Sequence, residues 1–140
     1  MPIQIKFWLI WEVIVLNKIS LDARILIFGG SGFLGARIVK KLCDSGIRPH
    51  LLLRSNIPRW RIDSFVKPDQ VQVHIGDLQD LTILQRIILD IKPDIIFYVS
   101  GHGSHKGQTH RDDIFQNNLL ATHNLLIATE SIPSCRIIYS

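Results

Sequence analysis

The sequence predicts an α/β fold, a doubly wound parallel sheet of about five strands in the order 3-2-1-4-5. Three observations carry that expectation. From Ala23 onward, short apolar runs alternate with stretches of helical periodicity, without internal repeats or low-complexity segments. The glycine-rich stretch Gly29-Gly30-Ser31-Gly32-Phe33-Leu34-Gly35 follows directly on the first of those runs, Arg24-Ile25-Leu26-Ile27-Phe28. With 140 residues, 46% of them hydrophobic, the chain can bury one ordinary core, which excludes a disordered chain and favours a single domain.

The elements follow in order. After the first strand and the glycines, a helix is expected from about Gly32 to Ser45, with Leu34, Ile38 and Leu42 as its buried stripe and Gly46 as its stop. His50-Leu51-Leu52-Leu53-Arg54 is the second strand. The polar stretch from Ser55 to Gln70, with its two prolines, holds a loop and a short helix. Val71-Gln72-Val73-His74-Ile75 alternates with period two and reads as the third strand. Asp80 caps a helix with Leu81, Leu84, Ile88 and Ile91 on one face, closed by Lys92-Pro93. Ile95-Ile96-Phe97-Tyr98-Val99 is the fourth strand. A loop from Ser100 to His110 leads to a long helix capped by Asp112 or Asp113, reaching about Ser131, with Ile114, Leu119, Thr122, Leu125 and Leu126 inward. Arg136-Ile137-Ile138-Tyr139 is the fifth strand.

A strand, a cluster of glycines and a helix start form the arrangement in which a dinucleotide diphosphate docks on a helix N-terminus in a Rossmann-type sheet. Two glycine spacings fit at once, G-x-x-G-x-x-G from Gly29 and G-x-G-x-x-G from Gly30. On this reading Gly29 and Gly30 permit the turn, Gly32 lets the main chain approach the phosphates, and Gly35 lets the helix sit close to the sheet. The alternative is a glycine turn without a ligand.

The tip of the second strand bears on which dinucleotide is bound. An NAD site of this kind places a carboxylate about 20 residues beyond the glycines to accept hydrogen bonds from the ribose. Arg54 occupies that place. A guanidinium cannot accept those bonds but can pair with a 2′-phosphate, and Ser55 can donate another. With Arg59 and Arg61 near in sequence, NADP(H) is favoured over NAD(H). After the third strand, Asp77 is placed to accept from the adenine amino group while Leu78 covers the ring; the alternative for Asp77 is an ordinary loop or capping aspartate. Asn117 and Asn118 fall mid-helix, where asparagine is a poor helix former, so one of them is expected in the crevice.

The ordered motifs Gly29 to Gly35, Gly76-Asp77-Leu78, Lys92-Pro93-Asp94-Ile95-Ile96-Phe97 and Asn117 to Leu126 resemble the extended short-chain dehydrogenase/reductase family, the nucleotide-sugar epimerases and dehydratases. The resemblance covers roughly Arg24 to Ser140. It implies cofactor contacts from Phe33, Leu34, Arg54, Asp77, Leu78, Tyr98, Val99, Ser100 and Asn117. Two departures stand out. Val99-Ser100-Gly101 replaces the alanines common in relatives, and Ala121 replaces a glycine, both adding small volume near the cofactor or the helix packing.

The resemblance also implies a catalytic hydroxyl just beyond the fifth strand and a later Tyr-x-x-x-Lys pair, whose lysine lowers the tyrosine pKa. Ser140 is the last residue. Neither Tyr98 nor Tyr139 has a lysine four positions later, so no catalytic residue is assigned. Residues 23–140 are thus expected to be a cofactor-binding domain truncated before the catalytic and substrate-binding part, and a nucleotide-sugar substrate is expected only for a full-length relative.

Other features bound the alternatives. The net charge of +4 is mild and its cations are dispersed, which disfavours nucleic acid as a partner. Two cysteines, Cys43 and Cys135, form no readable disulfide or C-x-x-C pattern, so a reducing cytoplasm is the expected location. His102, His105 and His110 lack companions at metal-ligand spacing and are read as loop histidines, with no metal site.

Residues 1–22 form an apolar extension whose apolar run, Ile5 to Leu16 with Trp8 and Trp11, is interrupted by Glu12 and is shorter than the ~18 residues of a membrane span. No small-residue cleavage site follows. A packed element, an interfacial membrane contact and unrelated upstream sequence stay open for it, with membrane contact disfavoured. The competing functional class is a non-catalytic NADP(H)-binding or partner-binding module using an exposed sheet edge, and homo-oligomerisation is compatible with either reading.

Overall fold

The structure, a computed structural model, describes residues 19–101, 107 and 110–140. The expectations for residues 1–18, including Trp8 and Trp11, and for His102 and His105 lie outside the described residues.

Five strands form one parallel sheet: β1 (Ile25–Phe28), β2 (His50–Leu53), β3 (Gln72–Ile75), β4 (Ile95–Tyr98) and β5 (Arg136–Tyr139). Their order is β3-β2-β1-β4-β5, as predicted. Central strand β1 sets Ile27 beside Leu51 of β2 and beside Phe97 of β4. All four residues of β1 and of β4 are buried, which is why both read as unbroken apolar runs rather than as alternation. Residues of odd and even number face opposite sides of the sheet. Ile25, Ile27, Leu51, Leu53 and Phe97 meet Ala36, Ile38, Val39 and Leu42 of α1 (Phe33–Asp44) in one core. The short helix α2 (Trp60–Asp63) adds Ile62 to it.

The opposite face buries Leu26, Phe28, Leu52, Ile96 and Tyr98 beneath α3 (Leu81–Ile91) and the last helix, α5 (Ala121–Thr129). The Asp80 carboxylate caps α3 by accepting from the Ile83 N–H at 3.0 Å, a contribution of about 1 kcal/mol. Burial of Leu84, Ile87, Ile88 and Ile91 contributes roughly 1.5–3 kcal/mol each. Docking of α3 is therefore governed by its apolar face, and the cap sets where it begins.

Three expectations are corrected. Leu34 is exposed, because the buried stripe of α1 runs through Gly35, Ile38, Val39 and Leu42 and leaves Leu34 on its shoulder. The long helix is capped by the backbone of His110, placing Asp112 and Asp113 in the first turn of α4 (Arg111–Ile114), and α5 ends at Thr129. Leu119 and Leu126 point outward, at 58% and 52% exposure. Between α4 and α5 the segment Phe115–Leu120 is a π-helix, and its wider turn shifts the phase that a 3.6-residue period assumes.

Candidate functional site

A crevice opens at the carboxyl ends of β1 to β4, where the chain leaves β1 toward one neighbour and β4 lies on the other side. Its lining includes Gly29 and Ser31 after β1, Arg54 after β2, Asp77 and Leu78 after β3, Ser100 after β4, and Asn117 from the π segment. Seven expected site residues from five separate stretches of sequence thus converge on one cavity. Leu52, Leu53, Ile57, Gly76, Gly101 and Ala121 complete it.

The turn after β1 is built around two absent side chains. Gly29 has φ +83°, and a Cβ there would lie 2.7 Å from both the Ser100 nitrogen and the Val99 oxygen. At Gly35 a Cβ would fall on the Gly29 carbonyl. Those two positions let the start of α1 and the end of β4 close on the turn together. Gly32 is the N-cap of α1 without a side-chain cap, and its first turn carries no acidic residue. Unlike α3, this helix start presents its N–H groups and the positive end of its dipole with no carboxylate to satisfy them.

The third-strand end is held in detail. Asp77 Oδ1 accepts from the Gln79 N–H at 3.0 Å, the bond of a loop aspartate rather than of a helix cap, while the residue still lines the crevice. Gln79 Nε2 donates to Asn117 Oδ1 at 3.3 Å, and Asn117 Nδ2 donates to the Asp113 carbonyl at 2.7 Å. Of the Asn117 and Asn118 pair, Asn117 is the one in the crevice.

Other expected residues sit elsewhere. Gly30 faces the core, where a Cβ would meet Leu51 Cδ2 at 3.3 Å, and Gly32 lies under the turn rather than in the lining. Ser55 is exposed beyond the lining. Phe33 is 76% exposed beneath the Arg37 guanidinium, and its neighbour Leu34 is likewise outside the crevice. Val99 packs on the first core. Tyr98 is fully buried in the second, stacked on Tyr139 at 4.9 Å, and burial raises its phenol pKa. Proximity in sequence misleads for the two extra arginines: Arg59 pairs with Asp63 at 3.3 Å, and the Arg61 guanidinium lies 4.2 Å from the Trp60 ring.

Sequence reasoning missed Ile57, Gly76 and Asn124. Ile57 is the first apolar residue after the second strand, between Asn56 and Pro58, which was a usable signal. A Cβ at Gly76 would come 2.8 Å from Ile83 Cγ2, a contact no local pattern announces. Asn124, 5% exposed in the middle of α5, donates from Nδ2 to the carbonyls of Leu78 and Gln79, each at 3.0 Å.

Among the described residues no three His, Cys, Asp or Glu side chains converge as a metal set, and His110 is exposed. No helix among them is long and apolar enough to cross a membrane.

A twisted parallel sheet of order 3-2-1-4-5, with its crevice at the strand-order reversal beside a glycine turn, defines a Rossmann-type domain. The family model described as "NAD dependent epimerase/dehydratase family" matches residues 25–140, and the chain belongs to that family. A UDP-glucose 4-epimerase of Mycoplasma pneumoniae is 29% identical over 112 residues, which is 79% of this chain and 32% of the relative. A bifunctional UDP-glucose 4-epimerase and UDP-xylose 4-epimerase of Arabidopsis thaliana is 27% identical over 76% of this chain and 32% of its own length. The chain thus spans about a third of the curated relatives it matches. Among solved structures, a Thermus thermophilus UDP-glucose 4-epimerase in complex with NAD superposes with TM-score 0.67 at 26% identity, covering 81% of this chain and 36% of that one. A Bifidobacterium longum UDP-glucose 4-epimerase with NAD+ and UDP has TM-score 0.69 at 21% identity, covering 84% and 36%, a likeness of fold.

Proposed function

We propose that residues 23–140 are the NADP(H)-binding part of a nucleotide-sugar epimerase, dehydratase or reductase, and that these residues alone bind dinucleotide without turning substrate over. The observation that carries this reading is the uncapped start of α1 against a turn in which Cβ atoms at Gly29 and Gly35 would collide with backbone. Such a cradle suits a diphosphate, which the bare N–H groups hold by charge-assisted hydrogen bonds.

Around it, Ser31 donates to a phosphate and Arg54 pairs with the 2′-phosphate. The free oxygen of Asp77 accepts from the adenine amino group while Leu78 covers the ring. Ser100 and Asn117 lie on the path toward the nicotinamide. Bound, the cofactor supplies hydride exchange at a sugar carbon, and the protein supplies orientation. The relatives' names support a nucleotide-linked sugar as the substrate of the whole enzyme. Equilibrium dialysis against NADPH and NADH tests the reading: retention of both, with NADPH tighter, supports it. Epimerase or reductase turnover by residues 1–140 would refute the non-catalytic half.

A second reading, a partner-binding module or homo-oligomer, rests on the outward Phe115, Leu119 and Leu126 and on β5 at the sheet edge. A monomer that persists at high concentration in sedimentation counts against it. Two unpaired thiols, Cys43 and Cys135, favour the cytoplasm on either reading.

A further inference from the structure

We propose that Asn124 is a positioning residue for the adenine end of the dinucleotide, an amide on α5 that latches the turn between β3 and α3 and so holds Asp77 and Leu78 in register. The inference rests on the cofactor reading above. Asparagine is a poor choice for a helix interior, and a buried amide must find partners. Both partners of Asn124 Nδ2 lie far away in sequence, on consecutive carbonyls of one turn, so each N–H of the amide has its own acceptor. The neighbours Ala121, Leu125 and Ala128 already pack α5 on the sheet. An aliphatic side chain at 124 would serve that packing, so the amide answers to the turn.

The latched residues are those facing the crevice. Within the turn, Asp77 ties its own carboxylate to the Gln79 N–H and its carbonyl to the Asp80 N–H at 3.0 Å, which makes it a stiff unit. Gln79 then reaches Asn117. Asn117 and Asn124, seven positions apart on one helical run, therefore grip the same turn from two points. With the Asn124 bonds gone the turn keeps the Gly76 N–H bond to the Leu53 carbonyl and the Gln79 tie to Asn117 but loses its hold on α5, and the carboxylate and the ring-covering leucine shift together.

The test measures the NADPH dissociation constant for Asn124→Ala and Asn124→Asp in the full chain, at a temperature where near-ultraviolet dichroism shows each variant folded. Thr129→Val is the control. Thr129 is also buried on α5, but among the described residues its hydroxyl bonds to the Leu125 and Leu126 carbonyls of its own helix. Expected are a roughly tenfold weaker constant for Asn124→Ala, the effect of about one net hydrogen bond, and a larger loss for Asn124→Asp, whose carboxylate faces two carbonyl oxygens. That aspartate defect shrinks, relative to wild type at the same pH, between pH 8 and pH 5.5 as the carboxyl gains a proton to donate. Thr129→Val lowers the melting temperature and leaves the constant within about twofold.

Wild-type affinity in both folded Asn124 variants overturns the proposal. Failure of the wild-type chain itself to bind NADPH is a failure of the cofactor reading, and amide exchange then decides the latch. Exchange at Gln79 and Asp80 accelerates in Asn124→Ala if the latch is real, and unchanged exchange refutes it.

Discussion

His50 and His74 face each other across β2 and β3, Nδ1 to Nε2 at 2.9 Å with their rings stacked at 5.2 Å. One ring must be the donor and the other the acceptor, so the contact requires at least one neutral imidazole. Burial, with the neighbouring His74 and Arg48, lowers the His50 pKa below 6.5; burial lowers that of His74 against a weaker opposing pull from Asp90. Both folded values lie below the unfolded one, so the folded chain binds fewer protons in that interval. Stability from the pair is complete above pH 6.5 and declines as the pH falls below it. The melting temperature is expected to fall from pH 7 toward pH 5, and His50→Gln with His74→Gln to flatten that limb. An unchanged pH profile in the double variant would count against the pair.

A second, more acid limb is expected from the pair that joins the amino ends of β1 and β4. Asp94 accepts from the Arg24 guanidinium at 3.0 Å and from its N–H at 2.8 Å, and these bonds hold its carboxyl below 3.8. Stability from a depressed carboxylate is present above its unfolded value and is lost as the pH falls through the folded one. Asp94→Asn is therefore expected to lower the melting temperature modestly above pH 5, where that stability is present, and to flatten the decline below pH 4.

Two glycines separate strain from contact. Gly35→Ala places a methyl on the Gly29 carbonyl, and overpacking of this kind costs about 1–3 kcal/mol. It is expected to lower stability and abolish measurable dinucleotide binding together. Gly46 has φ +82° but nothing nearer than Leu21 Cδ2 at 4.0 Å, so Gly46→Ala costs about 1–2 kcal/mol of backbone strain. Chemical denaturation should register both changes, and NADPH binding only the first.

Arg54 tests the choice of cofactor. If it pairs with a 2′-phosphate, Arg54→Ala removes a charge-assisted contact of about 1.5–3 kcal/mol. NADPH affinity then falls about 10- to 100-fold while NADH affinity is nearly unchanged. Equal losses for both would place the guanidinium elsewhere on the ligand.

The sheet order and all five strands were legible because runs buried on both faces and helical stripes have different periods, as in β4 and α3. What escaped was set by geometry that no local pattern carries. The π segment at Phe115–Leu120 rephased the long helix, so Leu119 and Leu126 turned outward. Arg61 was drawn onto Trp60, away from the crevice. In the crevice, the residues read from turn chemistry and strand ends, such as Gly29, Arg54 and Asp77, converge. Tyr98 falls in the second core because alternation along β4 points it into that face. Mid-helix asparagine pointed to Asn117, which lines the crevice, whereas Asn124, also mid-helix, went unread because its partners lie on a turn distant in sequence.

The central claim is that backbone N–H groups at the start of α1 hold a diphosphate. Backbone amide resonances, followed by proton–nitrogen correlation spectra while NADP+ is added to the labelled chain, test it most directly. Saturable shifts at Gly29 to Gly35, with smaller ones at Asp77 and Ser100, are the expected result. Unmoved glycine amides at millimolar ligand, in a chain whose spectrum is that of a folded protein, would contradict it.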